Sequence, residues 1–239
     1  MPAAEFAAQG SGPAASRAGT IELGGEVSAV RLGFGAMRLP GVWGAPNDPQ
    51  QARRLLRRVI RRHCQRSLEL LRLERIDLLQ LHTVDPAVPI EESVGAIVDL
   101  QREGKVRMIG VSNVSVEELG RARAVGEIAS VQNRYNLGDR GSEDVLAVCE
   151  GAGIGFLPWF PLGSGALAGA GELQAVASAH GATAAQVAIA WLLQRSPVLL
   201  PIPGTASIAH LEENTAAAGL RLSAEELGRL SSSVGHPRA

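Results

Sequence analysis

The chain opens on a short alternating pattern from Thr20 to Val30, Thr-Ile-Glu-Leu then Gly24-Gly25 then Glu-Val-Ser-Ala-Val, which predicts a β-hairpin. Leu32–Met37 is an apolar run flanked by glycines and suits a buried strand. Arg38–Asp48 carries two prolines and two glycines, so a loop is expected there, with Asp48 placed to cap a helix that begins at Pro49. Residues 49–73 read as one helix. Leu55, Leu56, Val59, Ile60, His63, Cys64, Ser67, Leu68 and Leu71 recur on one face, and Arg53, Arg54, Arg57, Arg58, Arg61 and Arg62 line the other.

From there strand and helix patterns alternate. Strands are expected at Ile76–Leu81, Val106–Val111, Ser130–Gln132, Gly155–Trp159 and Val198–Ile202. Helices are expected at Ile90–Glu103, Val116–Val125, Ser142–Gly151, Ala170–His180, Ala184–Arg195, His210–Ala218 and Ala224–Ser231. Such alternation means βαβ units and a parallel sheet. Six core strands follow the hairpin, whereas a closed (β/α)8 barrel has eight. The expected fold is therefore α/β, an incomplete (β/α)8 TIM barrel with about six core parallel strands and an N-terminal hairpin. Residues 1–18, rich in Ala, Gly and Ser, read as a flexible tail, and residues 19–239 as a single domain.

Composition narrows the functional classes. With 46% apolar and 20% charged residues and a net charge of −1, the 239-residue chain has the balance of a soluble globular protein with no pull toward nucleic acid or membrane. The arginine stripe lacks interleaved aromatics and reads as a solvated helix face. Cys64 and Cys149 have no metal-ligand spacing, so reduced core thiols and no metal site are expected in a cytoplasmic protein. Tyr135 and Lys105 are the only tyrosine and the only lysine. Any chemistry needing that pair must use these two.

Six stretches in order then carry a resemblance: Arg31-Leu-Gly-Phe-Gly-Ala-Met37, Arg75-Ile-Asp-Leu-Leu-Gln-Leu-His82, Gly104-Lys-Val-Arg-Met-Ile-Gly-Val-Ser-Asn113, Val131-Gln-Asn-Arg-Tyr-Asn136, Pro158-Trp-Phe-Pro-Leu-Gly163, and Pro201-Ile-Pro-Gly-Thr205 with His210-Leu-Glu-Glu-Asn214. From Leu32 to Leu227 the chain resembles the aldo-keto reductases. The resemblance implies a ligand site at the C-terminal strand ends. It gives Ser112, Asn113 and Gln132 the nicotinamide carboxamide and Trp159 the nicotinamide ring. Leu162, Gly163 and Ser164 fall where the family wraps the pyrophosphate. Gly204, Thr205 and Ser207 precede a helix N-terminus suited to phosphate. His210, Glu213 and Asn214 match positions around the adenosine 2′-phosphate and adenine. The implied cofactor is NADP(H), with NAD(H) the alternative, and the implied substrate a small carbonyl compound. Taken singly, Trp159 reads as core and Ser112-Asn113 as a turn.

The resemblance also implies what is missing. The family protonates its carbonyl substrate from a tyrosine tuned by a lysine and an aspartate, with a histidine beside the carbonyl. His82 matches that histidine. The other three belong to the family's second and third strands, and two strand-helix units have no counterpart around Ile60–Arg61. Lys105 enters a strand at the opposite end of the barrel, and Tyr135 matches a non-catalytic position. Joining two helices in phase makes one of about 37 Å, so a break near Arg61–Arg62 or a displaced half is expected. The flanking strands either pair directly or stay as open edges, and open edges favour homo-oligomers. Three readings stand: a reductase with altered proton chemistry, a non-catalytic nucleotide-binding or interaction protein, or a deletion from a complete reductase.

Overall fold

The hairpin forms where its pattern places it. β1 (Thr20–Leu23) pairs antiparallel with β2 (Val27–Val30), Thr20 opposite Val30 and Leu23 opposite Val27. The protein's structure, a computed structural model, describes residues 19–23, 27–30, 49–86, 88–163 and 171–233. The expected tail, the Leu32–Met37 strand, the Asp48 cap and Ser164 lie outside them. Ile21 and Leu23 turn inward and pack under Gly155, where a Cβ would stand 2.5 Å from Leu23 Cδ2. Only glycine allows the hairpin to approach that closely.

After α1 (Pro49–Leu71) come β3 (Ile76–Leu81), α2 (Ile90–Arg102), β4 (Val106–Ser112), α3 (Val116–Val125), β5 (Ile128–Gln132), α4 (Glu143–Ala152) and β6 (Gly155–Phe156). α5 (Gly171–Ala179), α6 (Ala184–Arg195), α7 (Ile208–Ala216) and α8 (Ala224–Ser233) complete the chain. The strands are parallel in the order β3-β4-β5-β6, with Leu81 beside Val111, Val111 beside Val131, and Val131 beside Phe156. Local chemistry sets several boundaries. Capping boxes start α3 (Ser115 with Glu118) and α6 (Thr183 with Gln186), and Gly153, at φ 67°, ends α4.

Four strands form the ladder among the described residues; of the six expected, Leu32–Met37 lies outside them. Val198–Leu200 joins the sheet through a single bridge, with Phe156 N donating to Val198 O and Leu200 N donating to Phe156 O, both at 2.8 Å. The neighbouring Pro158, Pro201 and Pro203 have no N–H to extend either strand. Among the described residues the sheet is open, an incomplete barrel, with β3 at one edge.

α1 corrects one of two alternatives expected for it, the break near Arg61–Arg62. It is one helix of 23 residues, with no break at Arg61–Arg62. Ion pairs across to α2 explain its continuity: Arg57 with Glu92 (3.0 Å) and Asp99 (3.9 Å), and Arg61 with Glu103 (2.6 Å). Two of the stripe's arginines thus reach a neighbouring helix while staying about half exposed. The expected apolar face is also narrower. Cys64 and Leu68 are buried, but His63 is exposed and Leu71 is 60% exposed. With Leu70 and Leu73, Leu71 leaves the helix's last turn uncovered.

The main core lies between sheet and helices, around Val94, Ile97, Ile109, Val131, Phe156 and Trp191. Burial pushes the Cys149 thiol up to about 12 and keeps it inert. Among the described residues no single helix is long and apolar enough to cross a membrane.

Candidate functional site

Four strand ends meet at Asn113. This residue follows β4 with φ 58°, a left-handed conformation that asparagine tolerates better than most side chains. Its backbone N donates to Gln132 O at the end of β5 (3.0 Å). Its Nδ2 donates to His82 O, just past β3 (3.0 Å), and to Ser112 Oγ (3.1 Å). Its Oδ1 accepts from Trp159 Nε1, beyond β6 (2.8 Å). Ser112 Oγ in turn donates to Gln132 O (2.6 Å). One residue, through its backbone N–H and its side chain, thus ties all four ends together.

The next layer is equally specific. Asn133, 4% exposed, accepts from Val114 N (3.0 Å) and donates to Val114 O (2.7 Å), fixing the turn after Asn113. Its own carbonyl accepts from Trp159 N (3.0 Å), which holds the half-buried indole at the rim. Gln132 is half-buried, and its side-chain amide has no partner among the described residues. The result is an amide and a hydroxyl set of donors and acceptors beside an indole face, with His82 exposed alongside.

A second cluster builds a cleft of about 360 Å³. Leu162, Gly204, Thr205, His210, Glu213 and Asn214 line it, with Ala184 and Ala188 of α6 opposite. Ser207 caps α7, its Oγ accepting from His210 N (3.4 Å) and its N donating to Thr205 Oγ1 (3.0 Å). The first-turn N–H groups of α7 add a positive dipole end, which favours anions. Gln186 Nε2 donates to Glu213 O (3.1 Å) and locks α7 to α6. Leu162 belongs to the cleft and Trp159, three residues earlier, to the strand ends, so one segment spans both clusters. Gly163, at φ 58°, turns that segment by donating to Phe160 O (3.1 Å).

Tyr135 and Lys105 stand apart. Tyr135 is fully buried, stacked on Trp191 at 6.2 Å, with its hydroxyl donating to Glu143 Oε2 (2.6 Å). Burial, and next the hydrogen bond to Glu143, push its pKa well above the usual phenol value. Lys105 pairs with Glu103 (3.1 Å) at the N-terminal end of β4, the opposite end of the strand from Asn113.

Sequence reading missed Arg134, Asn136 and Phe160, which border Trp159. The period of two through Ser130 and Gln132 carries on to Arg134, and that signal would have found it. Among the described residues no group of acidic, histidine and cysteine side chains could hold a metal ion.

The sequence profile of the aldo/keto reductase family matches residues 57–234. An uncharacterized oxidoreductase of Schizosaccharomyces pombe is 36% identical over 276 positions, covering 90% of each chain. That alignment is longer than the 239-residue chain itself, so parts of the relative have no counterpart here. Pyridoxine 4-dehydrogenase of Escherichia coli is 45% identical over 141 residues, 59% of this chain and 49% of the relative. The chain thus spans about half the length of that relative. A solved aldo-keto reductase from Klebsiella pneumoniae in complex with NADPH is 34% identical, with a TM-score of 0.68 over 75% of this chain and 66% of the other. An incomplete barrel with its polar site at the strand ends defines the class, an α/β oxidoreductase fold. The chain belongs to the aldo/keto reductase family.

Proposed function

We infer that the chain binds NADP(H) across the strand ends and the α6–α7 cleft, and acts on a small carbonyl or alcohol there without the family's tyrosine, lysine and aspartate. One observation carries this reading. Residues that the family resemblance assigned to a single dinucleotide, from four separate segments, gather into two clusters joined by Trp159–Leu162. The residues fit the group. Asn214, 4% exposed, lines the cleft, where an amide suits an adenine edge. The α7 N-terminus offers N–H groups to a phosphate, and the free Gln132 amide suits a carboxamide. NADP(H) is mildly favoured over NAD(H), His210 standing in the cleft where the family more often has a basic residue.

Bound there, the cofactor supplies a hydride; the chain orients the nicotinamide and holds the carbonyl beside His82. Burial of Tyr135 and the remote position of Lys105 leave no tuned phenol, so proton delivery falls to His82 or to water. The same observation supports a second reading, nucleotide binding without turnover.

The test is titration with NADPH, read by quenching of Trp159 with Trp159→Phe as the control, alongside turnover of a simple aldehyde. Binding with slow turnover that falls in His82→Ala supports the first reading. Binding with no turnover supports the second. No nucleotide binding removes both.

A further inference from the structure

Arg134 lies two residues past β5, at the rim that carries Trp159 and His82. Its guanidinium carbon is 5.8 Å from the Trp159 ring centroid and 5.1 Å from that of Phe160. Its Nε donates to Asp139 Oδ2 (2.8 Å), and its two terminal nitrogens have no partner among the described residues. The side chain is 51% exposed, so this end of the fork faces solvent.

The surroundings hold that fork in place. Asn136 and Asp139 exchange backbone hydrogen bonds of 2.9 and 3.1 Å, a tight turn that sets Asp139 beside Arg134. Asn136, 2% exposed, donates from Nδ2 to Phe160 O (3.0 Å) and stabilises Phe160 at φ 61°, a strained conformation for an aromatic residue. Strain of this kind persists where the fold over-determines it, and here it presents Phe160 to the guanidinium.

A guanidinium fixed at Nε beside two aromatic rings keeps the N–H groups of its two terminal nitrogens for a carboxylate. Trp159 Nε1 reaches Asn113, and Asn113 holds the His82 backbone, so the free fork and the imidazole belong to one connected rim. We propose that Arg134 is a specificity-determining residue that selects carbonyl substrates bearing a carboxylate a few bonds from the carbonyl. This rests on the site assigned under the proposed function, since it is that site's rim that the substrate would occupy.

The probes are 4-carboxybenzaldehyde and benzaldehyde, titrated calorimetrically into the full chain with and without NADP⁺, after the nucleotide affinity of the same sample has been measured. The expected result is about tenfold tighter binding of the carboxylated aldehyde, the scale of a charge-assisted hydrogen bond. Arg134→Gln removes that preference while the nucleotide affinity stays within about twofold, and Arg134→Lys restores part of it. Asp139→Asn moves the other way and strengthens carboxylate binding, because the amide oxygen can still accept from Arg134 Nε while the competing negative charge is gone. A wild-type protein without the preference, a preference that survives Arg134→Gln, or an Asp139→Asn variant that behaves like Arg134→Gln each overturns the assignment. A carboxylate preference without nucleotide binding upholds Arg134 and removes only the cofactor reading.

Discussion

Helix α6 spans 12 residues and buries seven in a row, Val187 to Leu193, whereas α1 spans 23 and, of its described side chains, buries Cys64 and Leu68. α6 is a core helix. Its Trp191 is 1% exposed, stacks on Tyr135 and donates Nε1 to Ser231 Oγ (3.1 Å). α1 is held to α2 largely by arginine pairs that are about half exposed, and its last turn shows Leu70 and Leu71 to solvent. The α6–α7 cleft uses the first, and the second packs on α2. The cleft lies where packing is dense, and the last turn of α1 is loosely covered.

The largest test of that contrast is Trp191→Ala, expected to cost about 3–5 kcal/mol in urea unfolding because it leaves a cavity and strands a stacked tyrosine. A smaller cost would mean that α6 can collapse onto the gap, which its close packing argues against. Next is Gly110→Ala in β4, where a Cβ would meet Ser130 Oγ at 2.5 Å and Gln80 Cγ at 2.6 Å. It must displace the hydrogen bond from Gln80 Nε2 to Ser130 Oγ (2.9 Å), at about 1–3 kcal/mol by the same measurement.

On the α1 side effects shrink. Arg57→Ala is expected to cost under about 1 kcal/mol, and added salt should erase most of the difference from wild type. A loss comparable with Trp191→Ala would show that α1 is as tightly coupled to the fold as α6. The smallest effect lies at α8 and depends on pH. The backbone N of Ser223 (2.7 Å) and then His180 (2.9 Å) hydrogen-bond the Glu226 carboxylate and hold it down to about 2. A carboxylate with a lowered folded pKa stabilises above its unfolded value near 4.3, and loses that contribution as pH falls toward 2. The melting temperature of wild type should therefore drop more steeply between pH 5 and 2 than that of Glu226→Gln.

Much of the architecture was legible because periodicity survives in short windows. α6 starts and ends at the bounds its sequence pattern predicts, Ala184–Arg195, and α3 does the same at Val116–Val125. The Val198–Ile202 strand was not, because its apolar run looks like a ladder strand while Pro201 and Pro203 withhold the N–H groups a ladder needs. The break in α1 failed for a different reason. It followed from helix length against barrel height, but ion pairs from Arg57 and Arg61 to α2 depend on a neighbour that no local window contains.

The binding residues divide in the same way. Motif order placed Gly204, Thr205, His210, Glu213 and Asn214 around one ligand, and they do share a cleft. It could not show that Asn113 engages three other strand ends, or that Arg134 rests against Trp159 and Phe160, since those partners lie 19 to 46 residues away in sequence. By itself, then, the sequence determined element types, the family, and the residue identities at the strand ends, because each depends on local pattern or motif. Tertiary structure alone decided how tightly each half closes, where the sheet stops, and which polar atoms are already engaged. Those outcomes follow from contacts between distant segments, and they exist only once the chain has folded.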